Sequence, residues 1–214
     1  MRGLPTWSKR RYAALWRDRA ALDGDLIYVA LGDSAAQGLG ATAPTLGYVG
    51  LLADLAEKRT GRTVRVVNLS VSGAKVRDVV DGQLAASRAL EADVVTCAVG
   101  GNDMRRFDAE RFESDFRDLV AGLPGHALVA DVPCFYSGRG EVASRAASGI
   151  VRRVLDDAGR IPVPLHSATE ARTREQVRGD FALDFFHPND RGYSVWAQAF
   201  QSTFLARIDQ LSPS

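Results

Sequence analysis

Asp25-Leu26-Ile27-Tyr28-Val29-Ala30-Leu31-Gly32-Asp33-Ser34 is the stretch on which the reading of this chain turns. Its apolar run lacks polar alternation, contains β-branched and aromatic residues, and stops at a glycine. That is the pattern of a strand buried on both faces of a parallel sheet. Such a strand delivers whatever follows it to the carboxyl edge of the sheet, where open α/β folds hold their ligands. Ser34 is thereby placed at that edge. Taken alone, Asp33-Ser34 reads first as a helix cap, because both residue types are preferred there.

Working outward, the pattern repeats. Val64 to Leu69, Asp93 to Val99 and Ala127 to Val132 read as further buried strands, and Ile161 to Leu165 as a short fifth one at an edge, because it contains two prolines. Between them lie helical stripes: Tyr48, Leu51, Leu52 and Leu55 ending near Gly61; Val76, Val79, Val80 and Leu84; Phe112, Phe116, Leu119 and Val120; a helix to about Ala158; and a last one marked by Tyr193, Trp196, Phe200 and Phe204. Residues 35–46, rich in Gly, Ala, Thr and Pro, read as a flexible connection. Strands alternating with helices through short links imply a parallel sheet covered on both faces by right-handed crossovers.

Composition narrows the function classes. The chain has 214 residues, 46% hydrophobic and 25% charged, which suits one soluble globular domain. With 27 basic and 26 acidic residues the net charge is +1, so no nucleic-acid partner is expected. No run approaches ~18 apolar residues and the amino terminus lacks a signal-like apolar core, so a cytoplasmic protein without an integral membrane segment is expected. Residues 1–24 place Trp7, Tyr12, Leu15 and Trp16 at near-helical spacing among Arg10, Arg11, Arg17 and Arg19. This is read as a basic amphipathic extension that packs on its own domain, with a membrane surface or a partner as the other candidates; 25–214 is read as a single domain. Cys97 and Cys134 read as reduced buried thiols, since neither has metal-ligand spacing.

Four polar stretches then stand at strand ends or in the loop before the last helix: Gly32-Asp33-Ser34, Ser72-Gly73, Gly100-Gly101-Asn102-Asp103 and Asp184-Phe185-Phe186-His187-Pro188. A serine needs a base to become a nucleophile, and the base needs a third group to fix its tautomer. His187 suits the first role and Asp184 the second. Acyl transfer also needs donors aimed at the developing oxyanion, which Ser34 and Gly73 can supply from the backbone and Asn102 from its amide. Each block has a plainer reading: Gly73 as a turn glycine, Asn102 as a turn former, Asp103 as a brace for its own loop. His126 reads as exposed or core-satisfied. His166, near the same edge, is the rival base but has no Asp three residues before it. Phe107, Phe135, Tyr136, Phe181, Phe185 and Phe186 are candidates for an acyl pocket or for core.

In order and spacing these four blocks resemble the SGNH hydrolases, also called the GDSL esterase/lipase family, from residue 26 to residue 200. The resemblance implies a flavodoxin-like three-layer α/β/α sandwich on a central parallel five-stranded sheet, and a Ser-His-Asp triad of Ser34, His187 and Asp184. It implies no metal or other cofactor. Ala35 follows Gly-Asp-Ser where many members have Leu, and residues 1–24 lie outside the resemblance. The activity expected is hydrolysis of a small carboxylic ester, with short acyl chains favoured, through an acyl-enzyme. Thioesters, lysophospholipids or acetylated sugars are alternative substrates, and a catalytically silent binding module is the alternative from another class. The oligomeric state is not readable.

Overall fold

Four parallel strands build the sheet in the computed structural model, which describes residues 9–211; Trp7 and residues 212–214 lie outside them. In chain order the strands are β1 (Leu26–Gly32), β2 (Val64–Asn68), β3 (Val94–Ala98) and β4 (Leu128–Val129), and their spatial order is β2-β1-β3-β4. Tyr28 lies opposite Val66 on one side and Val94 on the other. From β1 the chain steps out to β2, then crosses back over β1 to β3. The strand order therefore reverses between β1 and β3, which opens a crevice at their carboxyl ends.

The expected five strands are corrected to four. Ile161 to Leu165 contributes a single parallel bridge, Val163 to Ala130. Pro162 and Pro164 have no N–H to donate, so Val163 alone joins the ladder: its N–H donates to Val129 O at 2.8 Å and its carbonyl accepts from Asp131 N–H at 3.2 Å.

The helices are α1 (Lys9–Ala20), α2 (Tyr48–Thr60), α3 (Val76–Gly82), α4 (Leu84–Arg88), α5 (Ala109–Gly122), α6 (Gly138–Asp157), α7 (Leu165–Glu170), α8 (Arg174–Arg178) and α9 (Asp190–Gln210). Alternation along β1 sorts them into two layers. Leu26, Tyr28 and Ala30 face a core with Trp16, α2 and α9, where Tyr48 stacks on Phe200 at 5.2 Å. Val29 and Leu31 face the opposite core, with α3, α5 and α6. Because both faces are covered, β1 and β3 show the near-continuous apolar runs seen in the sequence. Among the described residues no helix is long and apolar enough to cross a membrane.

Two local readings change. The helix expected through Leu84 breaks at Gln83, which lies between α3 and α4 and spends its side chain elsewhere. Its Oε1 accepts from Gly32 N–H at 2.9 Å and its Nε2 donates to Gly32 O at 2.8 Å, closing the end of β1. Residues 35–46 are closely held rather than a flexible link. Trp16 Nε1 donates to Gln37 O (3.0 Å), Tyr12 hydroxyl to Ala41 O (2.7 Å), Tyr193 hydroxyl to Leu39 O (2.6 Å) and Gln37 Nε2 to Ser70 O (2.8 Å). Tyr12 and Trp16 are thus buried against the same fold.

Candidate active site

Ser34 begins the turn after β1, at the crevice between β1 and β3. Facing it is a turn at 182–188 whose shape follows from one carboxylate. Asp184 Oδ1 accepts the N–H groups of Phe186 and His187, each at 3.0 Å, and this Asx arrangement folds the chain back on itself. Phe185 takes a left-handed φ of 53° in the process, and its ring is 84% exposed. The turn is closed by Ala182 N–H donating to His187 O at 2.9 Å.

The same geometry aims His187. Its Nδ1 lies 2.6 Å from Asp184 Oδ2, and its Nε2 lies 3.0 Å from Ser34 Oγ. Three side chains separated by up to 153 positions therefore form one hydrogen-bonded line. Burial raises the Asp184 pKa, but the bonds from His187 and Phe186 together outweigh it and hold the carboxyl below its ordinary value. Asp184 is accordingly a carboxylate at neutral pH, able to favour the N–H tautomer at Nδ1 and leave Nε2 facing the serine as acceptor.

What fixes this turn against the sheet was not legible as function. Asn189 caps α9 by accepting from Arg191 and Gly192 N–H, and its amide donates to Gly179 O and Phe181 O. Pro188 therefore precedes the cap. Asp190 accepts from both the N–H and the hydroxyl of Thr42 at 2.7 Å, tying α9 to the segment that carries Ser34. Gly40, with a φ of 97°, packs beneath the turn: a Cβ there would lie 2.4 Å from Pro188 O and 2.7 Å from His187 Cβ.

The residues expected to hold an oxyanion differ in how far they are already engaged. The backbone N–H groups of Ser34 and Gly73 donate to no protein group among the described residues, and Gly73 has a left-handed φ of 87°. Asn102 is placed differently from the expectation of a free amide. Its Nδ2 donates to Asp33 Oδ2 and to Ala74 O, both at 3.0 Å, so both of its hydrogens are engaged. The cause is Asp33, a buried carboxyl that needs donors: Ala35 N–H supplies one at 2.9 Å and Asn102 the other. Burial pushes Asp33 up to about 7, with the nearby Asp103 adding to the rise. Asp103 itself is raised to about 6 by burial, and it braces a neighbouring element, accepting from Val76 N–H at the start of α3 (3.3 Å) rather than serving its own loop alone.

Beside Ser34 opens a cleft of about 140 Å³. Phe135, Tyr136, Phe181, Phe185 and Phe186 line it, and Leu165 and Trp196 form part of its wall. Phe107 does not line it: half-buried, its ring packs on Phe112 at 5.6 Å, against the core formed with α3, α5 and α6. His126 lies instead in a separate depression with Ser87 and Leu123, and burial lowers its pKa. His166 is buried in the first turn of α7, 3.4 Å from Glu141, and is not part of the Ser34 line. Cys97 is fully buried, whereas Cys134 reaches the cleft wall, its thiol pushed up to about 11 by burial.

Comparison with known proteins adds the following. Residues 30–195 match the profile of the GDSL-like Lipase/Acylhydrolase family. The chain is 27% identical over 218 residues to the GDSL-like esterase Rv1075c of Mycobacterium tuberculosis, covering 92% of this chain and 66% of that protein. It thus spans about two thirds of that relative's length. Among solved structures it is similar to LAE5, an alpha/beta hydrolase enzyme from the metagenome of Lake Arreo, Spain, with 25% identity, a TM-score of 0.68, and 90% and 99% of the two chains covered. The W215I form of Axe2, an acetyl xylan esterase from Geobacillus stearothermophilus, shares the fold at 19% identity and a TM-score of 0.67, with 86% and 96% covered.

Proposed function

Since the chain belongs to the GDSL-like lipase/acylhydrolase family, we propose that it hydrolyses small carboxylic esters through an acyl-enzyme, with Ser34 as nucleophile, His187 as base and Asp184 as its orienting carboxylate. The observation that carries this reading is the unbroken line from Asp184 Oδ2 through His187 to Ser34 Oγ, at 2.6 and 3.0 Å. In the first half-reaction Ser34 Oγ attacks the ester carbonyl while its proton passes to His187 Nε2. The imidazolium so formed is stabilised by donating from Nδ1 to Asp184. Negative charge develops on the carbonyl oxygen and meets the free N–H groups of Ser34 and Gly73, each such donor being worth ~3 to 4 kcal/mol where one has been removed. Asn102 joins them by sharing one of the hydrogens it otherwise gives to Asp33 and Ala74. Collapse of the intermediate breaks the bond to the alcohol oxygen, which takes the proton from His187 Nε2 and leaves. Water then repeats the sequence on the acyl-serine, losing its proton to His187, and releases the acid.

The cleft beside Ser34 takes the acyl group. At about 140 Å³ it is well below the several hundred Å³ of pockets that enclose drug-sized ligands, which supports short acyl chains over long ones. The test is labelling of the protein with a fluorophosphonate, followed by mass mapping. We expect the label on Ser34, lost in Ser34→Ala and His187→Ala, with ester hydrolysis lost alongside it. Hydrolysis persisting in folded Ser34→Ala at near wild-type rate would overturn the assignment. An ester series with no preference against long chains would overturn the short-acyl reading alone.

A further inference from the structure

Behind the wall of the cleft, side chains from three separate elements converge. Cys134 lies in the loop after β4, Glu141 in the first turn of α6 and His166 in the first turn of α7. A sulfur, a carboxylate oxygen and a ring nitrogen, one from each, lie within 4.8 Å of one another. We propose that Cys134, Glu141 and His166 form a binding site for a divalent cation of the zinc class.

The case rests first on the donor set. Thiolate, imidazole and carboxylate together suit zinc and its borderline-soft neighbours, and three protein ligands leave one position for water. It rests second on His166, whose ring is 97% buried and whose Nε2 has no hydrogen-bond partner. That nitrogen stands 3.4 Å from Glu141 Oε1 without making a hydrogen bond to it. A purely hydrogen-bonded cluster would be expected to satisfy a nitrogen so deeply buried. A cation between the two groups satisfies it instead.

The surroundings are those of a held ligand set. His166 Nδ1 lies 3.8 Å from Glu170 Oε2, so a second carboxylate stands near the ring, beyond hydrogen-bonding distance. Glu141 is fixed by Phe135 N–H at 2.8 Å on Oε2 and by Arg145 Nη2 at 2.9 Å on Oε1. The Cys134 thiol donates to Glu141 Oε2 at 3.2 Å, so sulfur and carboxylate already face each other. On binding, the sulfur–metal bond replaces that S–H, the proton leaves to solvent, and no electron changes hands. The two ligand anions then balance the two charges of the cation. Because Cys134 adjoins Phe135 and Tyr136, an occupied site would clamp the cleft wall to α6 and α7. The site so assigned is separate from the Ser34–His187–Asp184 line.

The experiment uses the full chain, stripped by a chelator and titrated with Co²⁺ alone. Expected is saturation at one equivalent with an intense thiolate-to-cobalt charge-transfer band, displaced by zinc. Cys134→Ser should abolish the band, and His166→Ala and Glu141→Gln should each weaken cobalt binding at least tenfold. Cys97→Ser should leave the band intact. A folded wild-type protein that binds no cobalt, or shows only the weak absorption of oxygen and nitrogen ligands, would overturn the proposal. So would a band that survives Cys134→Ser. Should Cys134→Ser fail to fold, Cys97→Ser decides, since a band in that variant can come only from Cys134 and its loss there would overturn the proposal.

Discussion

Gly40 offers the most direct test of how the proposed Asp184–His187–Ser34 line is positioned, because its substitution replaces none of those three side chains. In Gly40→Ala the new Cβ would lie 2.7 Å from His187 Cβ and 2.4 Å from Pro188 O. Relief to ordinary contact near 3.4 Å requires about 0.7 Å of movement at His187 and about 1.0 Å at Pro188. The φ of 97° adds backbone strain of roughly 1–3 kcal/mol for a residue with a side chain. The 3.0 Å bond from His187 Nε2 to Ser34 Oγ does not survive a shift of that size undistorted. Misplacement by about 1 Å costs on the order of a hundredfold in rate, about 2.7 kcal/mol in the barrier. Gly61→Ala is the matched control, with a left-handed φ of 67° but nothing within 4 Å of the added carbon. The assay is kcat/KM on p-nitrophenyl acetate with a urea titration of each variant. Gly40→Ala should lose about a hundredfold in kcat/KM while remaining folded, and Gly61→Ala should lose stability without losing rate. Gly40→Ala within threefold of wild type would refute the reasoning, as would an equal loss of rate in Gly61→Ala.

Other expectations follow from the same structure. Trp16→Ala removes a buried ring and its bond to Gln37 O, so a chain in which α1 is integral to the folding unit should lose ~3–5 kcal/mol in urea unfolding; a loss under ~1 kcal/mol would make α1 a detachable extension. Phe135→Ala opens the cleft wall and should raise the ratio of octanoate to acetate ester kcat/KM on the order of tenfold; an unchanged ratio would move the acyl group elsewhere. Asp33, pushed up to about 7 by burial, binds more protons folded than unfolded between about pH 4 and pH 7. Its contribution to stability therefore falls as the pH rises through that window, while His126, held low by burial, acts in the opposite sense below its ordinary pKa. Carbon-13 NMR of the Asp33 carboxyl isolates it: a midpoint near 7 is expected, and one below 5 would refute burial as the dominant influence.

The apolar run of β1 and its glycine stop determined, from sequence alone, that a buried parallel strand delivers Ser34 to the sheet edge, because a strand covered on both faces leaves no polar alternation. The four polar blocks were legible for a similar reason: three sit where strands end, and the fourth, the turn at Asp184 to His187 before the last helix, is local enough to be read from spacing. Tertiary structure decided what depends on distant approach. Pro162 and Pro164 marked an edge strand, but only the pairing with β4 shows that it shrinks to the bridge at Val163. Phe107 and Phe135 are alike as residues and pack against the same core, and only the structure shows that Phe135 also lines the cleft. Asn102 reads as a free amide until Asp33, 69 positions away and buried, claims one of its hydrogens. Gln83 at Gly32 and His166 against Cys134 carry no sequence signal, since their partners meet only when β1, α6 and α7 pack. Hydrophobic pattern and local turn chemistry are properties of neighbours along the chain, whereas hydrogen-bond partners and cavities are properties of neighbours in space.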